Sequence, residues 1–138
     1  MSLRILVVDD ESMIRRVYAR LIKEESYEML EAEDVSQAIS VFEREQPIDI
    51  LIADVRLRHE DGIVLAKELL RRQPSLQIVI CSGDPYRKID MEPGTYSFLE
   101  KPFTIDMFKK LMAELEERRR SAPDCIFDAT VNSTDNKS

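Results

Sequence analysis

Four short apolar runs in this 138-residue chain each lead to a side chain able to do chemistry. Ile5-Leu6-Val7-Val8 runs into Asp9-Asp10. Ile50-Leu51-Ile52-Ala53 runs into Asp54. Ile78-Val79-Ile80-Cys81 runs into Ser82-Gly83, and the run from Tyr96 to Leu99 is followed, after Glu100, by Lys101-Pro102. Crowded carboxylates repel one another, and burial raises their pKa values. A hard cation with oxygen ligands relieves both; Mg²⁺ commonly takes one or two carboxylates together with waters and phosphate oxygens. An ionised aspartate can act as a nucleophile and form an acyl phosphate. Phosphoryl transfer then needs mainly positioning and positive charge around the transferred oxygens. The cation and Lys101 would supply that charge, the Ser82 hydroxyl a hydrogen bond, and Gly83 an unobstructed approach.

Taken singly, each position has a plainer explanation. An acidic pair after a strand is often the polar start of a loop. Asp54 alone reads as a cap or turn residue, Ser82-Gly83 as a turn, and Lys101-Pro102 as a solvated lysine before a helix start. Agreement at four places carries the chemistry.

The elements between those places put them on one rim. Ser12 to Glu24 has helical spacing, with Met13, Ile14, Val17, Leu21 and Ile22 on one face. Tyr27 to Ala32 reads as a half-exposed edge strand, broken by Glu28 and Glu31. Asp34-Val35-Ser36-Gln37 resembles a capping box, opening a helix to about Arg44 that buries Ala38, Ile39 and Phe42 and ends before Pro47. Gly62 to Arg72 reads as a helix burying Ile63, Leu65, Ala66 and Leu69. Pro85, Pro93 and Gly94 leave room for only a short fourth helix. Thr104 can cap a last helix from Ile105 to about Arg119, with Ile105, Phe108, Leu111, Met112 and Leu115 inward. Strand and helix alternate five times, which predicts parallel strands, right-handed crossovers and helices on both faces. In such a sheet, function gathers beyond the carboxyl ends of the strands.

Composition narrows the class. With 43% hydrophobic and 34% charged residues, the chain is an ordinary globular one. A net charge of −7 disfavours nonspecific attraction to nucleic acid or anionic lipid. Cys81 and Cys125 suggest neither a disulfide framework nor a metal motif. His59 is the single histidine, which excludes a histidine metal cluster; it reads as a solvated loop residue. No apolar run approaches the ~18 residues of a membrane span, and acids follow the first strand too soon for a signal peptide, so a cytoplasmic protein is expected. Residues 1–120 are expected to form one domain. Residues 121–138, rich in Asp, Asn, Ser and Thr, are expected to be a flexible tail or the start of a linker.

The set Ile5-Leu6-Val7-Val8-Asp9-Asp10-Glu11, Asp54-Val55-Arg56-Leu57, Asp61-Gly62, Ser82-Gly83 and Phe98-Leu99-Glu100-Lys101-Pro102-Phe103 resembles the receiver domains of bacterial response regulators, over about Leu3 to Arg119. The resemblance implies a flavodoxin-like, doubly wound five-stranded parallel sheet of order 2-1-3-4-5 with five helices, the fourth short or irregular. It implies that Asp54 is the phosphoacceptor. Asp10 and Asp54 would be direct Mg²⁺ ligands, Asp9 a ligand through water, and the backbone carbonyl of Arg56 a further ligand. Lys101 would contact the phosphoryl group, while Ser82 and Phe98 would be the switch hydroxyl and switch aromatic. The implied partners are a sensor histidine kinase or phosphotransfer protein, and a downstream protein or missing output domain. The signal would pass through the face made by the fourth helix, fifth strand and fifth helix. On this view the chain is a signalling domain that takes part in its own phosphorylation and dephosphorylation, not an enzyme.

Three features depart from the family pattern. Arg58 stands where many relatives have proline. Arg56, long and basic beside the acceptor, is expected to affect water access and phosphoryl lifetime. The stretch from Ser82 to Lys101 is shorter than usual. Three rivals remain at this point: a degenerate receiver that binds without phosphorylation, a flavin-binding electron carrier, and the receiver fragment of a longer regulator. The intact acid, serine and lysine set opposes the first. Asp9-Asp10-Glu11, where a flavin phosphate would need a glycine- and hydroxyl-rich cradle, opposes the second.

Overall fold

The computed structural model describes residues 3–84 and 86–121. The chain divides into two compact units, Met1–Phe103 and Thr104–Ser138. In the first, β1 (Arg4–Val8), α1 (Ser12–Glu24), β2 (Glu28–Ala32), α2 (Val35–Arg44) and β3 (Ile50–Asp54) come in that order. A two-residue antiparallel ladder follows, β4 (Arg56–Leu57) with β5 (Glu60–Asp61), then α3 (Gly62–Arg72), β6 (Gln77–Ser82) and β7 (Ser97–Glu100). The main sheet is wholly parallel, ordered β2-β1-β3-β6-β7. Counting only its five strands, that is the expected 2-1-3-4-5.

The continuous apolar runs occupy the centre because both faces there are covered. Leu6, Val8, Leu51, Ala53, Ile78 and Ile80 share a core with Ala38 and Phe42 of α2 and with Leu65 and Leu69 of α3. The alternate residues Ile5, Val7, Ile50, Ile52 and Val79 are buried on the opposite face. There Tyr18 of α1 reaches Cys81, with hydroxyl and sulfur 2.9 Å apart. The edge strand β2 exposes Glu28 and Glu31, as its broken run predicts.

The expected inward face of α1 needs correcting. Met13 is 74% exposed and Val17 is 50% exposed, while Tyr18, Leu21 and Ile22 are buried. Tyr18, one residue beyond Val17, takes the central place, and its large ring turns the stripe by about one residue's rotation. In α2, the Asp34 side chain accepts from Gln37 N at 2.8 Å, and the Gln37 side chain accepts from Glu33 N at 2.7 Å. The reciprocal half of the expected box is therefore one residue earlier than in the standard motif.

No helix forms among the described residues between β6 and β7. Pro93 restricts its predecessor to extended backbone, and Gly94 takes a left-handed φ of 94°, so a helix there has no room to close. The segment still covers the core, with Ile89, Met91 and Tyr96 packed against it. The expected five helices thus become four among the described residues, and the expected signalling face has an irregular segment in place of its first helix.

The second unit contains α4 (Ile105–Ser121), the helix expected to be fifth. Thr104 caps it, its hydroxyl accepting from Met107 N at 3.1 Å. Phe108, Met112 and Leu115 are buried, but Ile105 is 54% exposed. Helical side chains lean toward the N-terminus, so the side chain of the first residue leans past the helix start. The expected tail lies outside the described residues, apart from Ser121, which ends α4. Among the described residues, no helix is long and apolar enough to cross a membrane.

Candidate functional site

Strand register brings the expected side chains together. Val8 pairs with Ala53, and Asp54 pairs with Cys81, so Asp9 and Asp54 share one level at the sheet's carboxyl edge and Ser82 stands one residue further along. Ligand oxygens of Asp9, Asp10 and Asp54 all lie within 4.8 Å of one another. Lys101 donates to Asp54 Oδ2 at 2.8 Å, and its Nζ is 3.5 Å from Asp9 Oδ2. The Lys101–Pro102 peptide is cis.

Asp9 is almost wholly buried. Its Oδ1 accepts from Glu11 N at 2.9 Å, and its carbonyl accepts from the Arg15 guanidinium at 2.6 Å. Burial pushes the Asp9 carboxyl above its ordinary pKa, and the neighbouring Asp54 and Asp10 add to this, against the Glu11 amide and Lys101. Burial works to lower the Lys101 pKa, but the hydrogen bond it donates to Asp54 and the charges of Asp54 and Asp9 outweigh it, so the net direction is upward. Three carboxylates face one ammonium, which leaves two negative charges for a divalent cation to balance. The donor set, all hard oxygen, fits Mg²⁺. Gly62 N donates to Val55 O at 2.7 Å, which makes Arg56–Asp61 the non-hydrogen-bonded pair of the short ladder. The Arg56 carbonyl therefore takes no bond from that ladder.

A cavity of about 360 Å³ opens beside Asp54, walled by Arg56, Ser82, Asp84, Arg87 and Lys101 among others. The Ser82 hydroxyl, mostly buried, accepts from Asp84 N at 3.0 Å. Phe98 pairs with Ile80 across β6 and β7, two residues from Ser82, so both face the same side of the sheet. Phe98 is 37% exposed there. His59 is exposed, as expected.

Two contributors were not evident from the sequence. A Cβ on Gly62 would stand 1.9 Å from the Asp54 carbonyl oxygen. The start of α3 can therefore approach the acceptor strand only through glycine, a constraint that the Asp61-Gly62 motif held without revealing. Arg87 comes from the irregular segment, and no local pattern there points to the cavity.

Fold and site together define a doubly wound α/β domain with an acidic pocket and a lysine on its carboxyl rim. The chain belongs to the response regulator receiver domain family, whose model matches residues 5–116. It is a signalling domain of the two-component kind. It is 31% identical over 105 residues to the transcriptional regulatory protein PdtaR of Mycobacterium tuberculosis, covering 74% of this chain and 51% of that protein. It thus spans about half the length of that curated relative. It is 28% identical over 108 residues to the chemotaxis protein CheY of Listeria monocytogenes, covering 75% of this chain and 90% of that one. Among solved structures it is similar to the response regulator TrrA of Thermotoga maritima, in complex with Mg²⁺ and BeF, with 27% identity and a TM-score of 0.73. That match covers 82% of this chain and 98% of TrrA.

Proposed function

We propose that this domain accepts a phosphoryl group on Asp54 from a phosphohistidine of a sensor kinase or phosphotransfer protein, and passes the signal to a downstream protein or output domain. The observation that carries this is the grouping of Asp9, Asp10 and Asp54, their ligand oxygens within 4.8 Å of one another, with the Lys101 ammonium bonded to Asp54 and 3.5 Å from Asp9. Asp54 Oδ forms the new P–O bond as the P–N bond breaks, and the electron pair stays on the imidazole nitrogen. Lys101 places its ammonium against Asp54 and would follow the negative charge onto the phosphoryl oxygens. Ser82 would trade the Asp84 amide for one of those oxygens. Asp10, Asp54 and the Arg56 carbonyl would hold Mg²⁺ directly and Asp9 through water, the cation neutralising charge on the phosphoryl group. Arg56, on the cavity wall, would govern water access and hence phosphoryl lifetime. Phosphorylation adds about −1.5 to −2 charge and three acceptor oxygens. Ser82 moving toward it frees space into which Phe98 turns, changing the surface of β7 and the segment before it.

Incubation with Mg²⁺ and acetyl phosphate should add one phosphoryl group that hydroxylamine removes, as it does any acyl phosphate. An adduct that resists hydroxylamine would place the phosphoryl group on a hydroxyl and refute the aspartate.

A further inference from the structure

Arg87 stands in the irregular segment that takes the place of a fourth helix. Its Nη2 lies 3.3 Å from Asp61 Oδ2. Arg87 lines the cavity that contains Asp54, Ser82 and Lys101, and also the adjoining one with Arg56, His59 and Asp61. It is therefore on the wall between the acceptor's pocket and the corner where α3 begins. We propose that Arg87 is a further switch residue beside Ser82 and Phe98, exchanging Asp61 for the phosphoryl group on Asp54 and carrying the segment Asp84–Tyr96 with it. This rests on Asp54 being the phosphoacceptor.

The present partner holds Arg87 loosely. Both side chains of the pair are more than a third exposed, and such ion pairs are weak and screened by salt. Asp61 is also satisfied without it, because its Oδ1 accepts from Ile63 N at 2.8 Å and caps α3. A phosphoryl group in the shared cavity offers more charge and three acceptors, which the planar guanidinium fork suits. A hydrogen-bond chain links Arg87 to the switch hydroxyl of Ser82. Asp84 N donates to Ser82 Oγ at 3.0 Å, and Arg87 N donates to Asp84 O at 3.2 Å. When the Ser82 hydroxyl turns to the phosphoryl group, Asp84 loses its acceptor and the turn holding Arg87 is released. With no helix among the described residues between β6 and β7 to unwind, the segment can follow.

Amide hydrogen exchange with and without Mg²⁺ and beryllofluoride, a phosphoryl stand-in, tests this alongside mass gain from acetyl phosphate. The wild type is expected to gain mass and to change its exchange across residues 84–96. Arg87→Ala is expected to gain mass and lose that exchange change. Asp61→Asn keeps the cap acceptor but drops the charge, and is expected to show part of the change with no phosphoryl group or stand-in. Wild-type exchange behaviour in either variant overturns the proposal. So does an Arg87→Ala protein that gains no mass, since Arg87 would then serve the transfer itself. A wild type that gains no mass overturns the acceptor assignment and this inference together.

Discussion

Gly62→Ala should damage both stability and phosphorylation. The new Cβ would lie 1.9 Å from the Asp54 carbonyl oxygen and 2.9 Å from its carbonyl carbon, where real contacts do not fall below 3.0 Å. Relief requires α3 and the acceptor strand to part by about 1.1 Å. Neither neighbour is a flexible side-chain end; both are backbone of the acceptor residue itself. The 2.7 Å bond from Gly62 N to Val55 O stretches with that movement. Overpacking of this kind costs about 1–3 kcal/mol, and a clash with backbone belongs at the upper end. The gain in helix propensity from replacing glycine, roughly 0.5–1 kcal/mol, offsets only part of it. A misplacement of about 1 Å can cost on the order of 100-fold in rate. Urea unfolding should show a lower midpoint with an unchanged slope, and mass gain from acetyl phosphate should slow by roughly that factor. A Gly62→Ala protein with the wild-type midpoint and rate would refute the claim that Gly62 positions the acceptor.

Lys101→Ala removes the ammonium beside Asp54 and should slow phosphorylation by about 10²–10³-fold, the cost of losing one charge-stabilising donor; stopped-flow or mass-gain rates measure it, and an unchanged rate opposes the role given to Lys101. Asp9→Asn keeps the acceptor for the Glu11 amide but removes a buried charge, so without divalent cations the variant should be more stable than the wild type. Asp9's folded pKa is raised, so the wild type loses stability as pH rises through it. The difference between the two should therefore vanish below the ordinary carboxylate value of 3.8 and open above it, in thermal melts across pH. The same variant should bind Mg²⁺ more weakly by titration calorimetry. Burial pushes the Cys81 thiol up to about 12, so iodoacetamide at pH 8 should modify Cys81 only as the protein unfolds; peptide mapping that finds rapid alkylation in the native state contradicts the packing of Tyr18 over it.

The strands and the acidic site were legible because each depends on something local. Ile5–Val8, Ile50–Ala53 and Ile78–Cys81 are continuous and apolar because both faces of a parallel sheet are covered, and their ends then fix Asp9, Asp54 and Ser82 on one rim. The inward face of α1 was not legible in the same way. Met13 and Val17 are as apolar as Leu21, and only tertiary packing chooses Tyr18 as the residue that enters the core. Pro85, Pro93 and Gly94 limited the segment after Ser82 to a short or irregular helix, but did not reveal that none forms among the described residues, nor the segment's path. Ile89, Met91 and Tyr96 reach the core without a period that names them, and Arg87 reaches the cavity because of that path. Gly62 stood in plain view beside Asp61, yet its role depends on how closely α3 approaches Asp54, a distance no residue pattern encodes.

Transfer from a phosphorylated histidine kinase, followed by peptide mapping of the phosphoryl group in the wild type and in Asp54→Ala, bears most directly on the account. The wild type should carry the group on the peptide containing Asp54, and Asp54→Ala should remain unmodified while unfolding cooperatively. A phosphoryl group that still arrives on Asp54→Ala, with the same Mg²⁺ requirement, would contradict it.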